Sequence, residues 1–340
     1  MAVYMVRAGA HGEYEQKFLQ DNRVYLTWPN LRVDLGKLEK REAMIDALKQ
    51  CYPEEKLKTI QNFAGQIWAF AHGIQKGDII IQPLKTQPAI RVAEVVGNYH
   101  CDKAGENPFL HWLEVEWIAE AVPRTHFGQD LLYSFGAFLT ICRVQRNNAE
   151  ARIAAMRASG WKAETGSSVI SVPEEEEKNV DLEELGRDQI AQLISARFKG
   201  HDFTRLVEAI LKVQGYTTYR SPAGADGGVD ILAGAGPLGF GQPRLCVEVK
   251  SGDVPADRPT VDKLLGAVTK FGAQEGLFVS WGGFKANVQK ELAQSFFRVR
   301  LWSQKEFLEA LFADYDRLDD DIKAELPLKR IWTVATLEDE

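Results

Sequence analysis

Asp230 sits in the apolar stretch "GVDILA", and Glu248 and Lys250 sit in "RLCVEVK"; both segments are rich in β-branched residues and read as neighbouring strands. Charged groups inside such strands are expensive to bury unless they have partners or a task. Strand side chains alternate, so Glu248 and Lys250 project from one face, and a hairpin brings Asp230 beside them. Two carboxylates that close repel each other. A divalent cation with oxygen ligands from both makes the pair favourable, and Mg²⁺ suits such a site, with Mn²⁺ as a substitute. A lysine at the edge of the site can orient or help deprotonate a water and can offset charge on a phosphorane. The chemistry that fits this set is metal-assisted phosphodiester hydrolysis.

The elements that must position these residues follow one another from about Phe198. "HDFTRLVEAILKVQGY" has Phe203, Leu206, Val207, Ile210 and Leu211 at helical spacing and ends at Gly215. "YTTYR", "GVDILA" and "RLCVEVK" then read as strands. They are followed by the helix "TVDKLLGAVTKFG", the strand "GLFVS", the helix "FKANVQKELAQSF", the strand "RVRLW" and a closing helix. The order α-β-β-β-α-β-α-β-α predicts an α/β domain with a mixed sheet flanked by helices. Glu208, inside the first helix, is a further carboxylate that can complete a cation's shell through water. The bare spacing of an Asp followed by ExK is common, and a solvated edge hairpin with a Glu–Lys pair is the competing reading.

"DFTRLVEAILKVQGYTTYRSPAGADGGVDILA" followed by "RLCVEVKSG" and "GLFVSWGGFKANVQKEL" resembles the catalytic domain of Mrr-like restriction endonucleases, within the PD-(D/E)xK nuclease superfamily. The resemblance spans residues 200–313 and implies Asp230, Glu248 and Lys250 as the catalytic triad. Many relatives have Gln where this chain has Glu248, and the helix acid often directly follows the Phe, where this chain has Thr204. Glu208 comes one turn later on the same face. The turn "SWGGFK", with Trp281, Gly282, Gly283 and Lys285, has two readings. Its backbone N–H groups can approach a DNA phosphate, or it is a tight turn over a packed Trp281. The Gly-rich "AGAGPLGFGQP" lacks the GKS or GKT of a phosphate-binding loop and reads as a long hairpin loop.

The section 1–121 mixes short strands and helices, with "GDIIIQPL", "AIRVAEVVGNYH" and "HWLEVEWI" as three antiparallel strands. "KGDIII" followed by "VAEVVGNY" is similar to PUA-like domains of the EVE kind, which implies a small β-barrel with helices that reads modified, flipped-out bases. Such a base needs an aromatic face and polar groups for its edge. Trp28, Trp68, Tyr99 and Trp112 are candidates for that pocket, although each taken alone reads more readily as core. Residues 122–199 read as a connector with a helix and the acidic run "PEEEEKNVDLEELGRD", and 314–340 as an acidic tail.

A chain of 340 residues is long enough for about two domains, so an α/β nuclease beside a smaller barrel (α+β overall) fits its length. The net charge of −7 opposes a nucleic-acid partner, but Arg197 to Lys305 holds more Lys and Arg than Asp and Glu. No apolar run nears the ~18 residues of a membrane span, and the first residues lack a signal-peptide core, so a cytoplasmic protein is expected. Cys51, Cys101, Cys142 and Cys246 have no metal-site spacing and read as reduced thiols. The six histidines form no HxH, HExxH or HNH arrangement.

The resulting expectation is a Mg²⁺-dependent DNA endonuclease that restricts modified or foreign DNA in phage defence, as a homodimer or higher oligomer. An idle nucleic-acid-binding protein and an RNA-directed nuclease are the alternatives.

Overall fold

The computed structural model describes residues 1–136, 139–164, 182–222, 229–285, 287–288 and 295–332. They fall into two compact units, Met1–Leu185 and Gly186–Glu340. The acidic stretch 173–181 and most of the helix expected over "FKANVQKELAQSF" lie outside the described residues.

The first unit runs β1 (Val3–Val6), α1 (Glu15–Asp21), β2 (Arg23–Leu26), α2 (Arg41–Cys51), α3 (Leu57–Trp68), β3 (Ile79–Pro83), β4 (Ala89–Cys101), β5 (His111–Pro123), α4 (Gln129–Phe135), β6 (Ile141–Arg143) and α5 (Ala149–Ala158). Its strands form one six-stranded sheet in the order β2-β5-β4-β3-β1-β6, with β1 and β3 parallel and the other pairs antiparallel. The side-chain period of two feeds a core on each face. Tyr4 and Val6 join Phe18, Met44 and Ile60 from α1 to α3, while Val3 and Met5 join Leu131, Phe135 and Ile153 from α4 and α5.

Two expectations change here. Among the described residues β2 and β6 are open edges, so the barrel is instead an open sheet, curled where β4 and β5 shift register at Ile90/Val92, Val92/Ala93 and Val95/Tyr99. The connector expected from residue 122 also gives way, because α4, β6 and α5 cover the second face of this sheet.

The second unit takes in most of α6 (Leu182–Arg197), then α7 (His201–Val213), β7 (Tyr216–Arg220), β8 (Ile231–Ala235), β9 (Gly241–Lys250), α8 (Arg258–Lys270), β10 (Glu275–Ser280), β11 (Val299–Trp302), α9 (Gln304–Asp314) and α10 (Asp320–Glu325). The sheet order is β11-β10-β9-β8-β7; β9, β10 and β11 are parallel, and β7 and β8 join antiparallel. This is the mixed sheet the alternation predicts. α7 forms because its apolar residues share one face, and it ends at Gly215, whose φ of +93° suits a residue without a Cβ. α7 and α9 cover one face of the sheet and α8 the other. The expected acidic tail is partly structural: Leu318, Ile322 and Leu326 recur at a four-residue spacing and enter the core beneath α7. No helix among the described residues is long and apolar enough to cross a membrane.

Candidate active site

β9 is buried at Leu245, Cys246 and Val247 and emerges into solvent at Lys250. Val247 and Val249 enter the core under α7 and Cys246 the core under α8, so alternation turns Glu248 and Lys250 to the α8 side. Lys250 Nζ lies 2.7 Å from Glu248 Oε1. Asp230, one residue before β8, donates its N–H to Val247 O at 2.9 Å, and its Oδ2 accepts from Val249 N–H at 2.6 Å. The Asp230 carboxylate is thereby fixed to the backbone of Val249, the residue between Glu248 and Lys250.

Neighbouring elements hold that end. Ser251 Oγ accepts from Gly200 N–H at 3.0 Å, which ties the end of β9 to the start of α7. α8 is capped by Asp257, whose Oδ1 accepts from Thr260 Oγ1–H at 2.6 Å and N–H at 3.3 Å. Those hydrogen bonds, the hydroxyl's first, hold the Asp257 carboxyl below its ordinary range.

Glu208 stands elsewhere. Its Oε1 accepts from Thr218 Oγ1 at 2.8 Å and lies 3.2 Å from Lys212 Nζ, and its Oε2 lies 3.6 Å from Arg220 Nε. It belongs to the helix that packs on Val247 and Val249, across the sheet from the Glu248–Lys250 pair. Among the described residues no three His, Cys, Asp or Glu side chains are grouped to hold a metal ion. In this structure the partners of Glu208 are Thr218, Lys212 and Arg220.

The turn 280–285 takes the second of its two readings. Trp281 is buried edge-on to Phe203 and Phe307, at 5.4 and 5.9 Å between centroids. The N–H of Gly282 donates to Gly252 O, that of Gly283 to Ser280 O and that of Lys285 to Ala256 O. These backbone donors are thus engaged within the protein, and the Lys285 side chain is exposed. Gly282 is required by close approach, since a Cβ there would meet the Asp253 carbonyl carbon at 2.4 Å.

Residues 195–311 match the family model of the Mrr catalytic domain, described as restriction endonuclease. This segment carries a restriction endonuclease domain. Residues 4–129 match a second family model, described only as a domain of unknown function. No curated protein matches the chain. Among solved structures, the DNA modification-dependent restriction endonuclease AspBHI is 12% identical at a TM-score of 0.34, over 78% of this chain and 72% of that one. MspJI restriction endonuclease in complex with a 27-mer oligonucleotide is 13% identical at 0.32, over 96% of this chain and 80% of that one.

Outside the restriction endonuclease domain, the four aromatic residues expected to line one pocket are separately engaged. Trp28 is buried against Phe63, Trp68 stacks on His72 at 4.1 Å, and Trp112 lies between His100 at 5.6 Å and the Arg23 guanidinium at 4.6 Å. Tyr99 stacks on His111 at 5.9 Å. Only Tyr99 of the four borders a hollow of about 780 Å³, shared with Asp34, Lys37, Lys76, Asn98 and His100. The residues lining that hollow are mostly polar. Its members come from segments far apart in sequence, which no local motif could reveal.

A chain of hydrogen bonds holds one rim of that hollow. His111 Nε2–H donates to Leu31 O at 2.6 Å, so its Nδ1 accepts from Tyr99 O–H at 2.6 Å, and Tyr99 Oη accepts from Leu35 N–H at 3.2 Å. Burial lowers the His111 pKa, in keeping with the neutral ring this pattern needs. In the restriction endonuclease domain, burial pushes the Cys246 thiol up to about 11, so it packs as a protonated apolar group.

Proposed function

We propose that this chain is a divalent-cation-dependent DNA endonuclease in which Asp230 and Glu248 hold the cation and Lys250 attends the scissile phosphate. The observation that supports this reading is the Glu248–Lys250 pair at the solvent-facing end of β9, 2.7 Å between Oε1 and Nζ, with the Asp230 carboxylate bonded to the backbone of Val249 between them. Two hard oxygen donors fit Mg²⁺, which commonly takes one or two carboxylates and fills its shell with water and phosphate oxygens. When bound, Mg²⁺ supplies positive charge at the phosphate and a more acidic water. The backbone bond from Val249 N–H to Asp230 fixes that carboxylate in place. Lys250, half exposed, is long enough to turn from Glu248 toward a phosphate, where its ammonium offsets developing charge and orients the attacking water.

Substrate choice falls to the first unit in this reading. Its polar hollow of about 780 Å³ has room for an extruded base, with Asp34 and Asn98 to read the base edge and Lys37 and Lys76 to meet phosphate. The substrate is then modified or foreign double-stranded DNA, and restriction of such DNA in defence against phage is the setting that follows. Cutting both strands takes two active sites, so the working form is a homodimer or larger assembly. Incubating plasmid DNA with and without base modification, in Mg²⁺ or in EDTA, tests the whole reading. Cation-dependent cutting that favours one modified plasmid supports it, and no cutting of either plasmid removes it.

A further inference from the structure

β10 runs parallel to β9 in a register that sets Phe278 beside Glu248 and Ser280 beside Lys250. The pairing continues past that point, with Trp281 N–H donating to Lys250 O at 2.8 Å. Val279 and Trp281 enter the core under α7 and Phe278 the core under α8. Alternation therefore turns Ser280 to the same side as Phe278, Glu248 and Lys250. Ser280 is 0% exposed, and its hydroxyl has no hydrogen-bond partner among the described residues.

A buried hydroxyl left without a partner is destabilising, and alanine would occupy the same space without that cost. The neighbouring group that can use such a hydroxyl is Lys250. Its ammonium lies on a carboxylate that cation binding requires, so when Glu248 turns its oxygens to a cation, one Lys250 N–H becomes available to a neighbouring acceptor. Ser280 Oγ offers two lone pairs one strand away, about 4.8 Å between neighbouring backbones, and on the same face.

We propose that Ser280 is a positioning residue for the nuclease site: its hydroxyl receives a Lys250 N–H once Glu248 engages the cation, and holds the ammonium toward the phosphate. The inference rests on the nuclease reading above. It accounts for a wholly buried serine at a strand position where an apolar residue would pack at lower cost.

The test uses the full chain as wild type, Ser280→Ala, Lys250→Ala and the double variant. Three quantities are measured: melting temperature without metal, Mn²⁺ affinity by calorimetry, and kcat and KM on a duplex that the wild type cuts. Ser280→Ala is expected to leave melting temperature unchanged or raised, and Mn²⁺ affinity and KM unchanged. Its kcat should fall about tenfold to a hundredfold, the worth of one hydrogen bond to a charged group. In the Lys250→Ala background the same substitution should change nothing further, because the two residues act as one unit. Wild-type kcat in Ser280→Ala overturns the inference, as does an undiminished effect in the Lys250→Ala background. A lowered melting temperature also overturns it, since that marks a structural role. A wild-type chain that cuts no duplex removes the nuclease reading itself.

Discussion

Lys250 Nζ sits 2.7 Å from Glu248 Oε1, two residues away on one face of β9, and about half of the lysine side chain remains in solvent. So exposed an ion pair contributes little to folding, at most about 1 kcal/mol. Replacing Lys250 with Ala should therefore shift stability by less than about 1 kcal/mol, leave Mn²⁺ affinity nearly intact and slow DNA cleavage by about a hundredfold or more. Denaturant melts, calorimetry and plasmid cleavage check the three parts. A large stability loss with normal cleavage would make the lysine structural.

Gly282 marks the closest approach between the turn after β10 and the segment after β9. A Cβ there would meet the Asp253 carbonyl carbon at 2.4 Å and its oxygen at 2.6 Å. Gly282→Ala should cost about 1 to 3 kcal/mol, because backbone rather than a flexible side chain must shift. Cleavage should fall with it, since the displaced segment directly follows Lys250. Chemical denaturation of the variant measures the first effect, and a stability equal to wild type contradicts it.

Glu184, at the start of α6, is held by Arg124 at 3.1 Å, Lys85 at 3.6 Å and Arg7 at 3.7 Å. Burial alone would raise its pKa, but the attraction of Arg124, Arg7 and Lys85 wins and the carboxyl stays below its ordinary range. A carboxyl lowered on folding contributes stability that is fully present above its unfolded pKa and is lost as pH falls through the folded value. Glu184→Gln should thus cost about 3 kcal/mol at neutral pH and flatten the loss of stability of the wild type on the acid side of the ordinary glutamate range. Thermal melts of both proteins across that range decide it, and parallel pH curves would contradict the account.

The division of labour between the units gives a fourth expectation. A fragment beginning at Gly186 keeps the whole second unit, including Ala191, Ile194 and Phe198 of its core. It should retain cation-dependent cleavage and lose any preference for modified DNA. Competition between modified and unmodified duplexes measures this, and a preference that survives in the fragment would place substrate choice in the second unit.

The strands and helices of the second unit were legible because each combines a clear period with turn residues. "RLCVEVK" interrupts a β-branched run with two charges, and Gly215 stops α7 with a positive φ. What the sequence hid was partnership. Nothing local in Glu208 tells that Thr218 and Arg220, on the strand after the helix, will engage it. The packing of Trp281 follows from the strand itself, since period two sends it with Val279 into the core. In the first unit, α4 and α5 read as a connector because their own patterns are weak. The second apolar face of β1, β3 and β4, which they cover, becomes visible only when the strands are assembled. The partners of the aromatic residues were hidden for a related reason, since stacking on His72, on His100 or on His111 occupies ring faces in a way that composition does not reveal.

The central claim is tested most directly by plasmid cleavage with Asp230→Ala and Glu248→Ala, each in the full chain, over a titration of Mg²⁺ and with DNA binding measured in parallel. Each variant removes one carboxylate, Asp230 from just before β8 or Glu248 from β9, and leaves the first unit untouched. The account predicts wild-type DNA binding in both, and cleavage lowered by about a thousandfold or more at every Mg²⁺ concentration. Cleavage at the wild-type rate by either variant would contradict it.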